Sequence, residues 1–450
     1  TGLTGSPANG GSAVAQRTDA AGSPITINIS AAGSGSNSGV PAGTYTVTYT
    51  PPSGFIVAGG VTNPVTSLVV GAGATATVTF AVQAVSATSV ISWINPSGGN
   101  WSTATNWSPA RVPVTTDSVV IALAGTYTVT LDTTFTASFI AVGGTSGTQT
   151  LSITSRTLTV SGAITVKGTG AFSMSSSTVA GTGVVLDQAT VTLLNSTITT
   201  ALTNQGLLVV HGSSAINGLF TAAPGSTLRM EGSGVGTGTL TVASGFTNDG
   251  LIELTNNSAN QPATLTVTTG TLTNAATINV LAGGGARTIN AQLDNQATGT
   301  LTLNQPLTLT QAGAAHTNSG TINVTGADWT LTQSGTTPSF TNTGTITIGA
   351  TRTWTVTTGT VNFSAGTVGG AGTLALNSLT ANFAAAFTNT TTTLVPSNST
   401  LNGPGTLTNA AGQTLTLTSS TVAASMPLVN QGVLVVHGSS AINGLFTAAP

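Results

Sequence analysis

Apolar and polar residues alternate with a period of two along most of this chain. In TLTVTTGTLT at 264–273, INV at 322–324 and TITI at 345–348, one parity is apolar and the other is rich in threonine and asparagine. That spacing belongs to half-buried strands and not to helices. No stretch of a dozen residues combines helical spacing with helix formers, so the pattern predicts an all-β fold.

A longer pattern is superimposed on the alternation. The motif apolar-x-Asn-x-Gly-x-apolar-x-apolar recurs as LTNQGLLVV at 202–210, FTNDGLIEL at 246–254, HTNSGTINV at 316–324, FTNTGTITI at 340–348 and LVNQGVLVV at 428–436. Degenerate forms occur at 272–280 (LTNAATINV) and around Asn295, Asn389 and Asn409. The asparagines fall at 204, 248, 274, 295, 318, 342, 389, 409 and 430; reading the intervals of 44 and 47 as two steps each gives 22.6 residues per step. A step of 22–23 residues fits one turn of a three-sided, right-handed parallel β-helix, or β-solenoid. In such repeat architectures neighbouring units supply the burial that a central core supplies elsewhere. Leucine-rich horseshoes need Leu at fixed offsets that are missing here. With coils stacked at about 4.8 Å, residues 115–450 make about fifteen coils and a rod of order 70 Å.

The motif has a physical reading. In FTNDGLIEL, parity points Phe246, Ile252 and Leu254 inward, while Asn248 and Gly250 make the bend. Asn tolerates left-handed backbone and Gly takes it without steric cost. Asn amides at equivalent bends are expected to hydrogen-bond along the stack. Outward Thr and Ser favour strands and pair across the sheet.

On a larger scale, residues 204–224 (NQGLLVVHGSSAINGLFTAAP) return at 430–450 with one change, Leu207 to Val433, a repeat of 226 residues that stops inside its second copy. The chain thus reads as a piece of a longer protein with further copies beyond Pro450. Its first residues, TGLTGSPANGGSA, lack a positive head and apolar stretch, so a signal peptide is expected to be removed already or to lie upstream.

Upstream of the repeats the organisation differs. Residues 1–22 are small and polar and read as a linker. Strand candidates follow at 25–30, 45–50, 54–60 and 75–84, divided by turn signals at 41–43 and 51–54. They predict a small Ig-like or prealbumin-like β-sandwich over 23–86. Residues 87–121 carry Trp93, Trp101 and Trp107 and read as a cap over the strand edges at the open end of the solenoid. The β-helix then occupies 122–450.

Charge changes the functional picture. The 450 residues carry 9 acidic and 7 basic side chains, 4% charged, where an ordinary globular protein has roughly 25%. A net charge of −2 with Lys167 as the single lysine argues against nucleic acid and against a polybasic membrane surface. No apolar run approaches the roughly 20 residues of a spanning helix, so no membrane insertion is expected. Cysteine is absent, which excludes disulfides, zinc–thiolate clusters and thiol catalysis. Few titratable groups also predict a stability nearly indifferent to pH between 4 and 9.

The N-x-G ladder and Thr-rich coils resemble the secreted β-helix repeats of bacterial filamentous-haemagglutinin-like and autotransporter-like adhesins. The stretch Gly99-Asn100-Trp101 through Asn106-Trp107, Pro113, Asp117 and Val119 resembles the segment that often opens such helices. Together these cover about residues 90–450. The phrase PAGTYTVTYTPPSGF at 41–55 resembles SpaA or Cna-B stalk modules. Those modules often carry a Lys to Asn or Asp isopeptide bond, which the absence of any lysine before 167 rules out in this domain.

The chemistry of an alternative, a carbohydrate-active β-helix enzyme (polysaccharide lyase or hydrolase), requires a carboxylate pair at defined separation. The candidates are Asp19, Asp117, Asp132, Asp187, Glu231, Asp249, Glu253, Asp294 and Asp328. Glu231 and Glu253 are 22 apart, but aligning TLRM (227–230) with LIEL (251–254) sets Arg229 level with Glu253 and predicts a surface ion pair. No acid-rich loop has calcium-binding spacing. His316 takes the inward slot filled by Phe246 and Phe340 in other coils and is expected to be buried and hydrogen-bonded. His211 and its duplicate His437 take outward parity and are expected to be solvated. Trp329 and Trp354 are expected on adjacent coils, as core filling if buried and as a sugar platform if exposed. Gly283-Gly284-Gly285 reads as a loop, since a phosphate cradle would need a following helix and a lysine. The T-x-T runs at 126–130, 264–268 and 414–418 are the feature an ice-binding array would need.

The sequence therefore predicts no catalytic, cofactor-binding or metal-binding residue, no cofactor and no enzymatic activity. It predicts an extracellular, cell-surface structural repeat protein forming the stalk or filament of a bacterial fibre or adhesin. Self-association and host or surface glycans are the expected partners; a glycan- or ice-binding module is the remaining alternative.

Overall fold

The structure, a computed structural model, describes residues 10–448 apart from 21, 31–32, 52–54, 58–62, 85–89 and 259. It divides into two compact units, 1–89 with 116–118, and 90–115 with 119–450.

The first unit is antiparallel. A four-stranded sheet has the order Ile25–Asn28, Ser12–Arg17, Gly43–Thr50, Val65–Val70, and a ribbon pairs Phe55–Val57 with Val82–Ala84. The strand Ser12–Arg17 lies inside the stretch that reads as a linker. Its alternation is carried by Ala13 and Ala15, both buried against Tyr45, Val47 and Tyr49, and alanines give too little contrast to stand out in a small, polar sequence. Within 75–84 only the last three residues are strand, although Val78 and Phe80 still pack on the core and Phe80 stacks on Tyr49 at 5.2 Å. The expected strand over 54–60 is described only at 55–57, and the turn at 51–54 lies mostly outside the described residues.

The second unit is a parallel β-solenoid of about 16 turns. Each turn contributes strands to three faces. In the turn after Asn248, residues 251–256 form the first face, 263–267 the second and 272–274 the third. Each face pairs in parallel with the next turn: Leu251 with Thr277, Ala263 with Arg287, Asn274 with Asn295. The alternation in sequence is the alternation in burial. Ile252, Leu254, Leu265, Val267 and Leu272 point into the stack with at most 1% exposure, each contributing about 1.5–3 kcal/mol by burial. The turns are unequal. Along the first face, Thr190 opposes Leu207 and Leu251 opposes Thr277, steps of 17 and 26 residues.

The Asn column is the interior landmark. Asn204, Ala222, Asn248, Asn274, Asn295, Asn318 and Asn342 stand in register on successive turns, and the 44-residue interval is indeed two steps, with Ala222 between. The 47-residue interval is different. On the same column Asn342 is followed by Phe363 and Phe383, and Asn389 directly follows the next strand, Phe387–Thr388, of a sheet that continues through Leu407–Asn409, Leu428–Asn430 and Phe446–Ala448. That interval is two turns plus one face: the motif slips sideways where two stacked phenylalanines, 4.7 Å apart, fill the old corner.

At the N-terminal end of the stack, Val90–Trp93 pairs antiparallel with Trp107–Ser108. Trp93, Trp101 and Trp107 are buried, and Trp107 meets each of the other two edge to face. Trp93 stacks on Tyr127 and Trp101 meets Phe135, both in the first turns of the stack.

Candidate functional site

The residues most able to do chemistry sit on outward positions of the first face between 207 and 257. Strand parity points Arg229 outward, and the register sets it opposite Glu253, as the alignment predicts. Arg229 Nε donates to Glu253 Oε2 at 2.7 Å. His211 lies one turn before Glu231. Its Nδ1 donates to the Glu231 carbonyl oxygen at 3.0 Å, and its Nε2 lies 3.8 Å from Glu231 Oε1. Asn257 Nδ2 donates to that same carboxylate oxygen at 2.6 Å. His211 is thus not a free surface group; its side chain is 18% exposed. Its duplicate His437 is exposed, as expected. The missed contact was encoded in the local turn length, which is 20 residues between Leu207 and Thr227 and so carries His211 onto Glu231.

Beside this patch is an open depression lined by Gly225, Ser226, Thr227, Asp249, Gly250, Leu251, Thr277 and Asn279. Burial pushes the Asp249 carboxyl above its usual range. Asn279 is the cross-strand neighbour of Glu253, so the depression runs up to the Arg229–Glu253 pair.

The other candidates are dispersed. Asp19 pairs with Arg17 in the first unit. Asp132 accepts from Ser102, Asp294 from Thr317 and Asp328 from the Thr353 amide; Asp117 is buried. Asp187 is buried in the Asn column, opposite Asn204. Its Oδ1 accepts from the Ala189 amide at 3.1 Å, its Oδ2 has no hydrogen-bond partner, and burial pushes the carboxyl up to about 7. Among the described residues, no group of three or more His, Asp or Glu side chains converges as a metal site would, and no helix is long and apolar enough to cross a membrane.

His316 is buried, as its slot predicts, and stacks in register with Phe340. Its Nδ1 accepts from the Leu293 amide at 3.1 Å, and burial holds the imidazole down to about 4. Trp329 and Trp354 are fully buried and stacked at 5.4 Å, which removes the sugar platform. The three T-x-T runs lie on separate strands, Tyr127–Leu131, Ala263–Asn274 and Thr414–Thr418, and do not form one array. The Gly283–Gly285 loop supplies acceptors to Arg287, an inward-facing arginine that sequence reading passed over. Arg287 Nη1 donates to the carbonyls of Gly284 and Gly285 at 2.9 and 3.0 Å.

No known family model matches the chain, and no curated protein matches it.

Proposed function

We propose that the chain is an extracellular structural repeat protein, the stalk or filament of a bacterial surface fibre or adhesin. The observation that carries this reading is the continuity of the interior. One uninterrupted apolar core runs from Ile91 to Leu428, and each turn needs its neighbours to be buried. A chain built this way gains length by adding turns, and its scarce charges are committed largely to its own surface contacts. The resemblance of the N-x-G coils to secreted adhesin repeats supports the cell-surface location. Self-association and binding to surface glycans are its expected interactions. Immunogold electron microscopy of the native cells tests this reading: label along surface fibres is the expected result, and label confined to the cell interior would overturn it.

One observation favours a second reading, a carbohydrate-active enzyme. Asp249 lines the depression, and Asn279, another of its lining residues, is the cross-strand neighbour of Glu253, so two carboxylates border one open surface, as acid–base chemistry on a polysaccharide would require. Incubation with a panel of polysaccharides, followed by assay for new reducing ends or unsaturated products, decides it. The stalk reading expects none; release by the chain that Asp249→Asn or Glu253→Gln abolishes would establish the enzyme.

A further inference from the structure

An Asn-Gly dipeptide is a place where the main chain can react with its own side chain, because glycine carries no Cβ to hinder its amide nitrogen. Within the solenoid such dipeptides occur at 217–218, at 402–403, and at 443–444 in the duplicate of the first. The first two stand in opposite settings.

Asn402 is held. Its Nδ2 donates to Asn382 Oδ1 at 2.9 Å, and the Gly403 amide donates to Ser425 Oγ at 3.1 Å. The carboxamide that would be attacked and the nitrogen that would attack it are both engaged. Asn217 is exposed, on the corner between the strands Leu207–Ile216 and Phe220–Ala222. Its own amide donates to the Ile198 carbonyl at 2.8 Å, and the Leu219 carbonyl accepts from the Leu202 amide at 2.8 Å, so the corner is pinned on either side. Between the pins, the Asn217 carboxamide and the Gly218 amide have no hydrogen-bond partner among the described residues.

We infer that Asn217-Gly218 is a site of spontaneous modification, converting to an aspartyl or isoaspartyl linkage while Asn402-Gly403 stays intact. The Gly218 nitrogen attacks Asn217 Cγ, the Cγ–Nδ2 bond breaks, and Nδ2 takes up the proton lost from Gly218 and leaves as ammonia. A five-membered succinimide remains. Water then opens the ring. Attack at Cγ leaves an ordinary aspartate; attack at the main-chain carbonyl leaves isoaspartate, whose main chain runs through the side-chain carbon. Either product adds a carboxylate to a chain that has only 9 acidic side chains. Isoaspartate also lengthens the main chain at a corner with little slack, since a Cβ on Gly218 would sit 1.9 Å from the Thr200 carbonyl oxygen. It is therefore expected to loosen the pairing of Leu202–Asn204 with Phe220–Ala222. The inference goes beyond the stalk reading and does not depend on it.

The test is peptide mapping with fragment-ion localisation on the full chain, aged in mildly alkaline buffer with and without denaturant. In the folded chain, modification at Asn217 is expected to accumulate about tenfold or more faster than at Asn402, where two hydrogen bonds must open first. In denaturant the two rates are expected to converge. Asn382→Ala combined with Ser425→Ala frees both groups at 402–403 and is expected to bring its rate towards that of Asn217. Amide exchange at Phe220–Ala222 is expected to quicken as isoaspartate accumulates. Equal rates at the two sites in the folded chain, or a gap of the same size in denaturant, would overturn the inference.

Discussion

At the residue scale the fold is held in register by amides. Asn248 Nδ2 donates to Asn274 Oδ1 at 2.8 Å, and Asn274, Asn295 and Asn318 each donate to the next asparagine at 2.7 Å, ending on Asn342. Asn389, Asn409 and Asn430 form a second ladder at 2.8 and 2.6 Å. These side chains are nearly all fully buried, so Asn295→Ala removes the shortest bond of Asn274 Nδ2, leaving it only the longer ones to the Ala276 and Thr300 carbonyls, strips the Asn318 acceptor of its Asn295 donor, and is expected to cost about 1–3 kcal/mol, read as a lower denaturation midpoint. The ladder was legible because its spacing repeats in sequence. The accompanying reason, left-handed backbone at Asn and Gly, is corrected: none of the N-x-G residues has positive φ, and the left-handed positions include Ser176, Asn195, Ser378, Asn398 and Ser419 at another corner. Two buried titratable groups refine the expected indifference to pH. His316 is neutral in the fold, so its stability is present above 6.5 and lost as pH falls towards about 4. Asp187 is protonated in the fold, so its stability is present below 3.8 and lost as pH rises towards about 7. Each shift amounts to about 3–4 kcal/mol, and the two oppose each other. The native midpoint is therefore expected to stay nearly level from pH 4 to 7. That of Asp187→Asn should climb with pH, and that of His316→Phe should fall. A midpoint in Asp187→Asn that stays level would contradict this assignment.

At the element scale a turn works because its backbone lies directly on the turn before. A Cβ on Gly250 would sit 2.5 Å from the Ser226 carbonyl oxygen, and one on Gly344 2.1 Å from that of Gly320. Gly250→Ala is accordingly expected to destabilise by about 1–3 kcal/mol. Gly369 has no atom within 4 Å of its would-be Cβ and no positive φ, so Gly369→Ala is expected to be neutral or stabilising by up to about 1 kcal/mol. Equal midpoints for the two variants would contradict the close stacking. Serines form a second set of ties that the sequence reading missed: Ser177 donates its amide to Ser196 Oγ at 3.1 Å, and Ser399 to Ser420 Oγ at 3.2 Å. Their only signal is a Ser or Asn before each serine at coil spacing, easily lost in a Ser-rich chain. The inward parity of Phe246, Ile252 and Leu254 was legible because apolar contrast is strong there. The strand Ser12–Arg17 was not, because alanine and serine differ little in that contrast. The sideways slip after Asn342 was hidden because counting residues between motifs does not distinguish a whole turn from a third of one.

At the scale of the whole molecule, the chain invests its sequence in repetition. Charges are few, and the patch at His211, Arg229, Glu231 and Glu253 is largely self-satisfied. These pairs sit on outward positions but are partly buried; surface ion pairs contribute about 1 kcal/mol or less, and partial burial shields them from added ions, so stability is expected to change little between low and high salt. A denaturation midpoint that falls steeply with salt would assign the patch a larger structural role. Everything rests on successive turns lying one above another, and the absence of cysteine makes this directly measurable. Thr247, Thr273, Thr317 and Thr341 occupy one column, with Asp294 between Thr273 and Thr317. Spin labels on Thr247→Cys paired with Thr273→Cys, Thr317→Cys or Thr341→Cys are expected at separations that grow by about 4.8 Å per turn, reaching roughly 19 Å at four turns. The three pairs lie one, three and four turns apart, so separations that depart from that one-to-three-to-four progression, or that are far longer for the pair 247 and 341, would contradict the stacked solenoid.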